Sequence, residues 1–255
     1  QTPAQQKYLR DLKDELTRRQ SKDNSINTYQ VTNNYKDIES NKSRLRFFYL
    51  NARSICGRGK LDELKCILQA LPSTVHLILL TETWITSDLQ AMLLKINNYT
   101  HYYSYRTDSR GGGVSAYVHN DLKHNLSMAV YAGGNNYLWI HLERYDLEVG
   151  VVYNPGDTNF QEFLQTYEDQ LQQRKRAIVF GDFNIDLLTK DRQTRTYNQL
   201  LREAGHTIIN KLNKKHCTRE SKTRKSILDH VSSNLKNDNF HMALIDSSMS
   251  DHKQI

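Results

Sequence analysis

The chain has 255 residues, 38% of them hydrophobic and 25% charged, and its net charge is +7. This length suits one large or two small domains, and the composition is ordinary for a soluble globular protein. The longest apolar run, VHLILL, is far shorter than the ~20 residues of a membrane span, so no membrane partner is expected.

The first 43 residues are predicted to be an appendage to the folded domain. Leucines at three- and four-residue spacing predict a charged helix over residues 4–19. Residues 20–43 are rich in Asn, Ser, Thr and Lys and have little to bury, so they predict a polar linker. The chain starts without methionine, and we expect it to be a piece of a longer polypeptide.

The cysteines and the N-terminus bear on the cellular compartment. Cys56, Cys66 and Cys217 are an odd number without a C-x-x-C pair, which argues against a disulfide framework or a cysteine-based zinc site. The polar N-terminus shows no secretory signal. Together these features predict reduced thiols in an intracellular protein.

From residue 44 onward, strand-like and helix-like segments alternate. The predicted strands cover residues 44–51, 75–80, 100–106, 114–119, 137–143, 147–153, 177–180, 226–234 and 241–246. The predicted helices cover residues 60–71, 87–95, 159–172 and 192–204. Strands in runs that pair locally, with the almost wholly apolar runs VHLILL and AIVF, favour an α/β fold in which helices cover two packed sheets.

Polar side chains follow the ends of several predicted strands. They are Asn51, Glu82, Tyr153, Asn154, Asp182, Asn184, Asp229, Asp251 and His252. Each one alone has an ordinary explanation, such as a turn cap or a surface charge. Because strand ends in a layered sheet share one edge, the whole set can converge in a single cleft. Carboxylates and carboxamides suit a hard divalent cation, and Tyr and His suit an anion, so the set predicts metal-assisted hydrolysis of a phosphate ester.

The stretch GDFNID also matches the opening of a calcium-binding loop, through Asp182, Asn184 and Asp186. An EF-hand loop needs glycine at its sixth position and a bidentate glutamate at its twelfth. The chain has Leu187 and Gln193 at those positions, and the flanking segments are not two helices. The EF-hand hypothesis therefore fails, and a strand-to-loop turn or part of an active site remains.

Residues 206–225 hold seven Lys or Arg side chains against one acid, a local net charge of +6. Such a cluster suits a nucleic-acid backbone, although a solvated loop with no partner carries the same charge. The candidate DNA contacts on charge are Lys222, Arg224 and Lys225 in this basic window, with Arg106 and Arg110 in a separate loop. Arg106 and Arg110 are as compatible with solvated loop charges as with phosphate contacts.

Seven stretches resemble the endonuclease/exonuclease/phosphatase superfamily, which includes DNase I and apurinic endonucleases. They are LNARSI, LTETWI, GGGVSAYV, VVYNPG, GDFNID, SILDHV and SDHKQI, in family order over residues 44–255. Within its apurinic-endonuclease-like branch, the chain is most similar to the endonuclease domain of non-LTR retrotransposons. The resemblance implies a DNase I-like, four-layer α/β sandwich with two packed, mainly antiparallel sheets flanked by helices. It also implies truncation after SDH, which would leave His252 poorly held.

The resemblance implies a metal site and a group that handles the attacking water. Glu82 would be the principal metal ligand, with Asn51 and Asp251 close to the metal. Asp182 would align or deprotonate the water, with help from Asn184. The implied cofactor is Mg²⁺, with Mn²⁺ as a substitute.

The resemblance also implies contacts with the substrate. Tyr153 and His252 would hold the scissile phosphate, and Asp229 would accept a hydrogen bond from His252 and keep it oriented. Thr218 and Ser226, at the basic window, would meet the DNA backbone. The implied partner is double-stranded DNA.

Other conspicuous residues are expected to play no direct part. Trp84 follows TET, where some relatives carry histidine, and we expect it to pack without touching DNA. His119, His206 and His230 are expected to be surface or internally satisfied histidines. Asp186 has no implied role.

The function that follows is a Mg²⁺-dependent DNA endonuclease, a hydrolase that nicks one strand and leaves a 3′ hydroxyl to prime reverse transcription. A reverse transcriptase domain would then continue the parent polypeptide, and the location would be nuclear. An abasic-site repair endonuclease is the alternative within the same fold. A catalytically decayed DNA-binding fragment is the alternative from another class. Phosphoinositide or sphingomyelin phosphatases share the fold, but the basic window and the lack of a membrane segment count against them.

Overall fold

The computed structural model describes residues 28–31, 44–221, 223–236 and 240–255. The helices are α1 (Lys60–Ala70), α2 (Asp88–Leu93), α3 (Phe160–Gln172), α4 (Arg192–Glu203) and a 3₁₀ turn at Glu143–Tyr145. The first strands are β1 (Thr28–Val31), β2 (Phe47–Asn51), β3 (Leu77–Thr81), β4 (Tyr99–Ser104), β5 (Val114–His119), β6 (His124–Ala132) and β7 (Asn135–Leu142). The later strands are β8 (Leu147–Tyr153), β9 (Ala177–Asp182), β10 (Thr207–Ile208), β11 (Arg219–Glu220), β12 (Lys225–Ser226), β13 (Asp229–Ser233) and β14 (His241–Leu244).

Two large sheets form the centre of the fold. One has six strands in the order β10-β13-β9-β8-β7-β6, and the other has four in the order β2-β3-β5-β4. Each contains one parallel pair, β8 with β9 and β2 with β3, and its other pairs are antiparallel. The prediction of an α/β fold with two packed, mainly antiparallel sheets flanked by helices is confirmed.

Three apolar clusters hold the layers together. Between the sheets, Tyr49 and Leu79 of the smaller sheet pack with Val151 and Phe180 of the larger one. A second cluster lies between α1, α2 and the outer face of the smaller sheet. A third lies between α3, α4 and the outer face of the larger sheet. Strand β3 is buried along its whole length because both of its faces are covered, which explains its unbroken apolar sequence.

Local sequence accounts for the helices that cover the larger sheet. Helix α3 begins after Asn159, whose side chain accepts hydrogen bonds from two backbone N–H groups of the first turn. Phe163 and Tyr167 then lie fully buried on its inner face, as the helical spacing predicts. Helix α4 begins after Asp191, whose side chain accepts from the backbone N–H of Thr194.

The strands that were not expected from the sequence include β1, β6 and the two-residue strands β10 and β11. The edge strand β6 is largely exposed or half-buried, so its sequence lacks the clean alternation that marks a half-buried strand. Strand β1 lies inside the predicted linker and pairs in parallel with β14, because extended backbone can join a sheet edge without an apolar sequence. The predicted helix 4–19 and the other linker residues lie outside the described part of the chain.

The sheet topology brings the predicted strand ends together. Strands β2 and β3 are parallel and end at Asn51 and Thr81, and strands β8 and β9 are parallel and end at Tyr153 and Asp182. Strand β13 runs antiparallel to β9 and begins at Asp229, directly opposite Asp182. Asn51, Tyr153, Asp182 and Asp229 therefore stand at one edge of the packed sheets. None of the described helices is both long and apolar enough for a membrane crossing.

Candidate active site

Asn51 connects the two carboxylates at the centre of this edge. Its side-chain Nδ2 donates to Glu82 Oε1 at 2.8 Å and to Asp182 Oδ2 at 2.7 Å. Asn51 is fully buried, and its Oδ1 accepts from the backbone N–H of Arg53 at 3.1 Å. One amide group therefore fixes two carboxylates that come from different sheets.

The backbone turns sharply where these strands end. Glu82, Trp84 and Asn184 have φ angles of 49°, 59° and 51°, a left-handed conformation that is uncommon for residues other than glycine. Trp84 N donates to Gly112 O at 2.9 Å, which holds the turn after β3 in place. Strained backbone of this kind is concentrated at functional sites, where the surrounding structure maintains it.

Trp84 packs beside the carboxylate of Glu82. Its Nε1 donates a long hydrogen bond to Glu82 Oε2 at 3.4 Å, and the guanidinium of Arg110 lies 5.6 Å from its ring centre. The packing role predicted for Trp84 agrees with these contacts.

Asp182 and Asn184 are held by the turn that follows β9. Asp182 Oδ1 accepts from the backbone N–H of Asn184 at 3.1 Å. The side-chain Nδ2 of Asn184 donates to the carbonyl oxygen of Asn154 at 2.7 Å, which ties this turn to the end of β8. Asp182 and Asn184 of the GDFNID stretch therefore belong to the group of polar residues at the strand ends.

A buried chain of hydrogen bonds runs from Tyr49 through Asp229 to His252. Tyr49 Oη donates to Asp229 Oδ1 at 2.8 Å, and Asp229 Oδ2 pairs with His252 Nδ1 at 2.8 Å. The predicted hydrogen bond between Asp229 and His252 is present. His252 is only 2% exposed, so the expectation that it would be poorly held is wrong. Its ring is fixed by Asp229.

Sequence reasoning missed Tyr49. The available signal was alternation along β2, which places Tyr49 and Asn51 on the same face of the strand. An apolar-looking FFYLN run does not show that one hydroxyl in it meets a carboxylate 180 residues away. The structure shows this contact directly.

The charges in the site shift two pKa values. Burial alone would lower the pKa of His252, but the adjacent Asp229 carboxylate outweighs burial and raises it to about 9. Burial, together with the neighbouring charges of Asp229 and Glu82, raises the pKa of Asp182 to about 7, although the charge of His252 acts in the opposite direction. At neutral pH the site therefore holds an imidazolium beside a carboxylate that can accept a proton.

The site has the composition of a divalent-cation site. Glu82, Asp182 and His252 each offer one ligand atom, and these atoms all lie within 4.8 Å of one another. Of these three residues, His252 is unsuited to bind a metal. Its Nδ1 is paired with Asp229, and its ring is protonated at neutral pH. The carboxylates of Glu82, Asp182 and Asp229 lie near the positively charged ring of His252. The surplus of carboxylate oxygens fits a hard divalent cation beside Glu82.

Asp251, which precedes His252 in the chain, pairs with two arginines. Its Oδ1 lies 2.9 Å from Arg53 Nη1, and its Oδ2 accepts from Arg219 Nε at 3.0 Å. Partial burial would raise the pKa of Asp251, but Arg219 and Arg53 hold it below its ordinary value. Two arginines therefore hold the Asp251 carboxylate, and its predicted position near the metal stays a prediction.

Tyr153 lies beside Asp182 at the end of β8, in parallel register with it. Burial raises the pKa of Tyr153 well above its ordinary value, and the nearby charges of Glu82 and Asp182 raise it further. Its hydroxyl is therefore protonated and can donate. A Cβ on Gly112 would lie 3.0 Å from the Tyr153 ring and 2.6 Å from Arg106 Cδ, so glycine is required for this close approach.

The two hydroxyl residues expected at the DNA backbone are buried. Thr218 is fully buried, and its Oγ1 accepts from the backbone N–H groups of Leu228 and Asp229 at 3.0 and 3.2 Å. Ser226 is 4% exposed. Direct phosphate contact by these hydroxyls is at odds with this burial, and Thr218 instead anchors the start of β13.

The arginine and lysine side chains that were predicted to contact DNA differ in their partners and in their exposure. Arg224 Nη2 donates to Asp186 Oδ2 at 3.2 Å, and Lys225 Nζ lies 2.7 Å from Glu220 Oε1. The Arg106 guanidinium lies over the ring of Tyr131, with Nε 3.6 Å from Asp108 Oδ1. Arg224 keeps an exposed side chain, whereas that of Arg106 is 18% exposed. Lys222 lies outside the described residues.

Asp186 and the histidines other than His252 make contacts within the fold or at its surface. Asp186 Oδ1 accepts from the backbone N–H groups of Leu188 and Ile227, so it ties the loop after β9 to the start of β13. His230 is fully buried, with Nδ1 at Tyr197 Oη and Nε2 at two carbonyl oxygens. Burial lowers the pKa values of His230 and His206 to about 4. His119 lies 3.5 Å from Asp121 at the surface.

Comparison with known proteins places this geometry in a family. A search of the curated proteins finds no match. Among solved structures, the chain is similar to the 3′-5′ exonuclease NExo from Neisseria meningitidis, at 14% identity and a TM-score of 0.61, over 82% of this chain and 96% of that one. It is similar to an AP endonuclease from Archaeoglobus fulgidus, at 15% identity and a TM-score of 0.60, over 83% and 97% of the two chains.

A third similar structure is the endonuclease domain of TRAS1, a telomere-specific non-LTR retrotransposon, at 17% identity and a TM-score of 0.58, over 83% of this chain and 96% of that one. At these identities the three structures show the fold that the chain shares with them. The sequence profile of the Endonuclease/Exonuclease/phosphatase family matches residues 43–252, most of the chain. The chain therefore belongs to the endonuclease/exonuclease/phosphatase family.

Proposed function

We propose that this chain is a Mg²⁺-dependent endonuclease that hydrolyses one phosphodiester bond in one strand of double-stranded DNA. The observation that carries the proposal is the Glu82–Asn51–Asp182 cluster beside the buried Tyr49–Asp229–His252 chain. This arrangement combines oxygen ligands for a cation, a group that accepts a proton and donors for a phosphate. Phosphodiester hydrolysis needs all three.

Each side chain has a role that follows from its charge and contacts. Glu82 would be the main ligand of Mg²⁺, or of Mn²⁺ in its place, and Asn51 keeps the carboxylates of Glu82 and Asp182 in position. The bound metal would supply positive charge to the phosphate oxygens as negative charge develops on them. His252 adds its own positive charge, since its pKa of about 9 keeps it protonated at neutral pH. Tyr153 offers a protonated hydroxyl to the same phosphate.

The hydrolysis itself follows from these roles. A water molecule attacks phosphorus, and Asp182 accepts its proton, which suits a carboxylate whose pKa is about 7. The bond between phosphorus and the 3′ oxygen breaks, and that oxygen takes a proton from solvent. The products are a 5′ phosphate and a 3′ hydroxyl. Asn184 keeps Asp182 in place through its backbone N–H.

The charge beside the site favours a nucleic acid over a small phosphate ester. Lys211, Lys214 and Lys215 are exposed, and no acidic group among the described residues forms an ion pair with them. Such lysines can replace the counterions of a polyphosphate backbone. The TRAS1 domain and the Archaeoglobus AP endonuclease share the fold and are named for endonuclease activity, which supports the same substrate class.

A nicking assay on supercoiled plasmid with Mg²⁺ tests the proposal. The wild type should convert the plasmid to its relaxed form, and Glu82→Ala should abolish conversion. Glu203→Ala, at the exposed end of α4, is the matched control and should behave as wild type. If the wild type and Glu82→Ala give the same background, the chain is not this enzyme.

The same protein separates the alternatives. Faster cleavage of a duplex with an abasic site than of an intact duplex would favour a repair endonuclease. Salt-sensitive DNA binding without nicking would favour a non-catalytic module. For the nicking enzyme we propose a retrotransposon setting, motivated by the seven motifs in order. There the 3′ hydroxyl primes a reverse transcriptase domain of the parent protein, in the nucleus.

A further inference from the structure

We propose that Arg53 and Arg219, held together by Asp251, form a phosphate subsite for the DNA phosphate next to the scissile one. The inference rests on the proposed function, since it assigns a second contact of the same substrate. It gives Asp251 a positioning role toward the arginines in place of a metal-ligand role. Neither arginine was singled out by sequence reasoning.

The three side chains form a compact group at the surface of the cleft. Asp251 Oδ1 lies 2.9 Å from Arg53 Nη1, and Asp251 Oδ2 lies 3.0 Å from Arg219 Nε. The side chains of Arg53 and Arg219 are 49% and 35% exposed, and that of Asp251 is 28% exposed. Both arginines are therefore oriented by one carboxylate and still reach solvent.

The backbone ties this group to the centre of the site. The N–H of Arg53 donates to the side-chain Oδ1 of Asn51, whose Nδ2 donates to the carboxylates of Glu82 and Asp182. Arg219 forms a β-bridge with His252, and Asp251 precedes His252 in the chain. Arg53 is thus linked to Asn51, and Arg219 is linked to His252. A phosphate next to the scissile one would meet them.

The charge and donor count favour an anionic ligand. One carboxylate faces two guanidinium groups, so the group keeps a net charge of +1. Each guanidinium has five N–H donors, and the Asp251 carboxylate has too few oxygens to take them all. Arginine binds phosphate through paired N–H donors, and a carboxylate that fixes the fork in advance lowers the ordering cost.

The backbone of Arg53 is a further observation. Its φ is 40° and that of Ser54 is 77°, so two consecutive residues other than glycine are left-handed. Such a conformation is maintained only where surrounding contacts enforce it, and here the backbone N–H groups of Ser54 and Ile55 donate to the carbonyls of Glu82 and Thr83. A surface ion pair alone contributes little to stability and would not account for this strain.

Binding of a short duplex, followed by fluorescence anisotropy with Ca²⁺ in place of Mg²⁺, tests the subsite. In the wild type, log Kd should rise steeply with log salt. Arg53→Met and Arg219→Met should each lower that slope by about 0.9 and weaken binding about tenfold. Arg53→Lys should keep the slope, because it keeps the charge. Arg176→Met, at the opposite end of β9, is the matched control and should leave both values unchanged.

A change in the substrate gives a second test, which begins with the wild type. A duplex in which a neutral methylphosphonate replaces the phosphate next to the cleavage point should bind wild type about tenfold more weakly. The Arg53→Met/Arg219→Met double variant should bind both duplexes equally. A double variant that still discriminates between the duplexes would overturn the inference.

The outcomes separate this inference from the proposed function. If wild type nicks DNA but neither arginine variant changes the salt slope, the subsite is wrong and the endonuclease assignment stands. If wild type binds DNA with the expected slopes but does not nick it, the subsite stands and the endonuclease assignment fails. Absence of DNA binding by wild type would overturn both.

Discussion

Replacing Tyr49 with phenylalanine removes one oxygen atom from the buried Tyr49–Asp229–His252 chain. The ring can stay in place, packed against Phe180 with ring centres 6.1 Å apart, so no cavity forms. Asp229 Oδ1 loses the donor now 2.8 Å away, and Thr81 Oγ1 loses a partner 3.0 Å away. The perturbation is therefore confined to hydrogen bonding.

The expected magnitude follows from the charge and burial of Asp229. A hydrogen bond to a charged group contributes about 1.5–3 kcal/mol, and Asp229 is fully buried, so water cannot replace the lost donor. We expect the free energy of unfolding to fall by about 2 kcal/mol and Tm by about 4–8 °C. Because Asp229 orients His252, we expect kcat for nicking to fall about tenfold.

Urea unfolding and single-turnover nicking measure the two effects. Tyr117→Phe is the matched control, since Tyr117 is also fully buried in the smaller sheet and its hydroxyl donates to the carbonyl of Leu94 at 2.8 Å. It should lose about 1 kcal/mol of stability and keep its kcat. A double-mutant cycle with Asp229→Asn should show non-additive effects on kcat, because both changes act through one carboxylate. Additive effects, or an unchanged kcat in Tyr49→Phe, would refute the reasoning.

Three further predictions concern metal binding, acid stability and loop packing. Glu82→Gln should abolish Mg²⁺ binding by calorimetry while far-UV circular dichroism stays unchanged; retained binding would exclude Glu82 as the main ligand. The pKa of His230, lowered to about 4 by burial, means that stability present above pH 6.5 is lost as pH falls toward 4. Between pH 6.5 and pH 4, the free energy of unfolding measured with urea should fall by about 3 kcal/mol more in the wild type than in His230→Phe. Equal losses in the two proteins would contradict this prediction. Asp186→Ala leaves the buried N–H of Ile227 without its acceptor, so the free energy of unfolding should fall by about 2 kcal/mol. A urea midpoint equal to that of the wild type would contradict this prediction.

The parts of the fold that the sequence predicts are those in which burial follows a local pattern. Strand β3 is apolar throughout because helices and the second sheet cover both of its faces. Helix α3 shows its inner face at helical spacing, with an Asn cap at its start. Strand β6 is different, since an edge strand with many exposed side chains carries no strict alternation and is recognised only when its partner β7 is known.

The candidate site divides in the same way. Strand ends at one sheet edge bring polar groups together, so Asn51, Glu82, Asp182 and Asp229 could be predicted as a set from their positions. Which partner each group takes depends on contacts between segments far apart in the chain. Asp251 meets Arg53 across about two hundred residues, and no local pattern indicates whether a metal or an arginine satisfies a carboxylate.

The buried hydroxyl of Thr218 shows why a resemblance in residue type does not determine a contact. A threonine beside seven basic residues is compatible both with DNA binding and with bonding to backbone N–H groups. Two N–H groups at the start of β13 have no strand partner there, and a buried N–H without an acceptor costs about 1–3 kcal/mol. Thr218 supplies the acceptor, and this positions Asp229 beside His252. Thr218 therefore acts on the active site indirectly, through the backbone that carries Asp229. Removing its hydroxyl should disturb the orientation of His252 more than it weakens DNA binding.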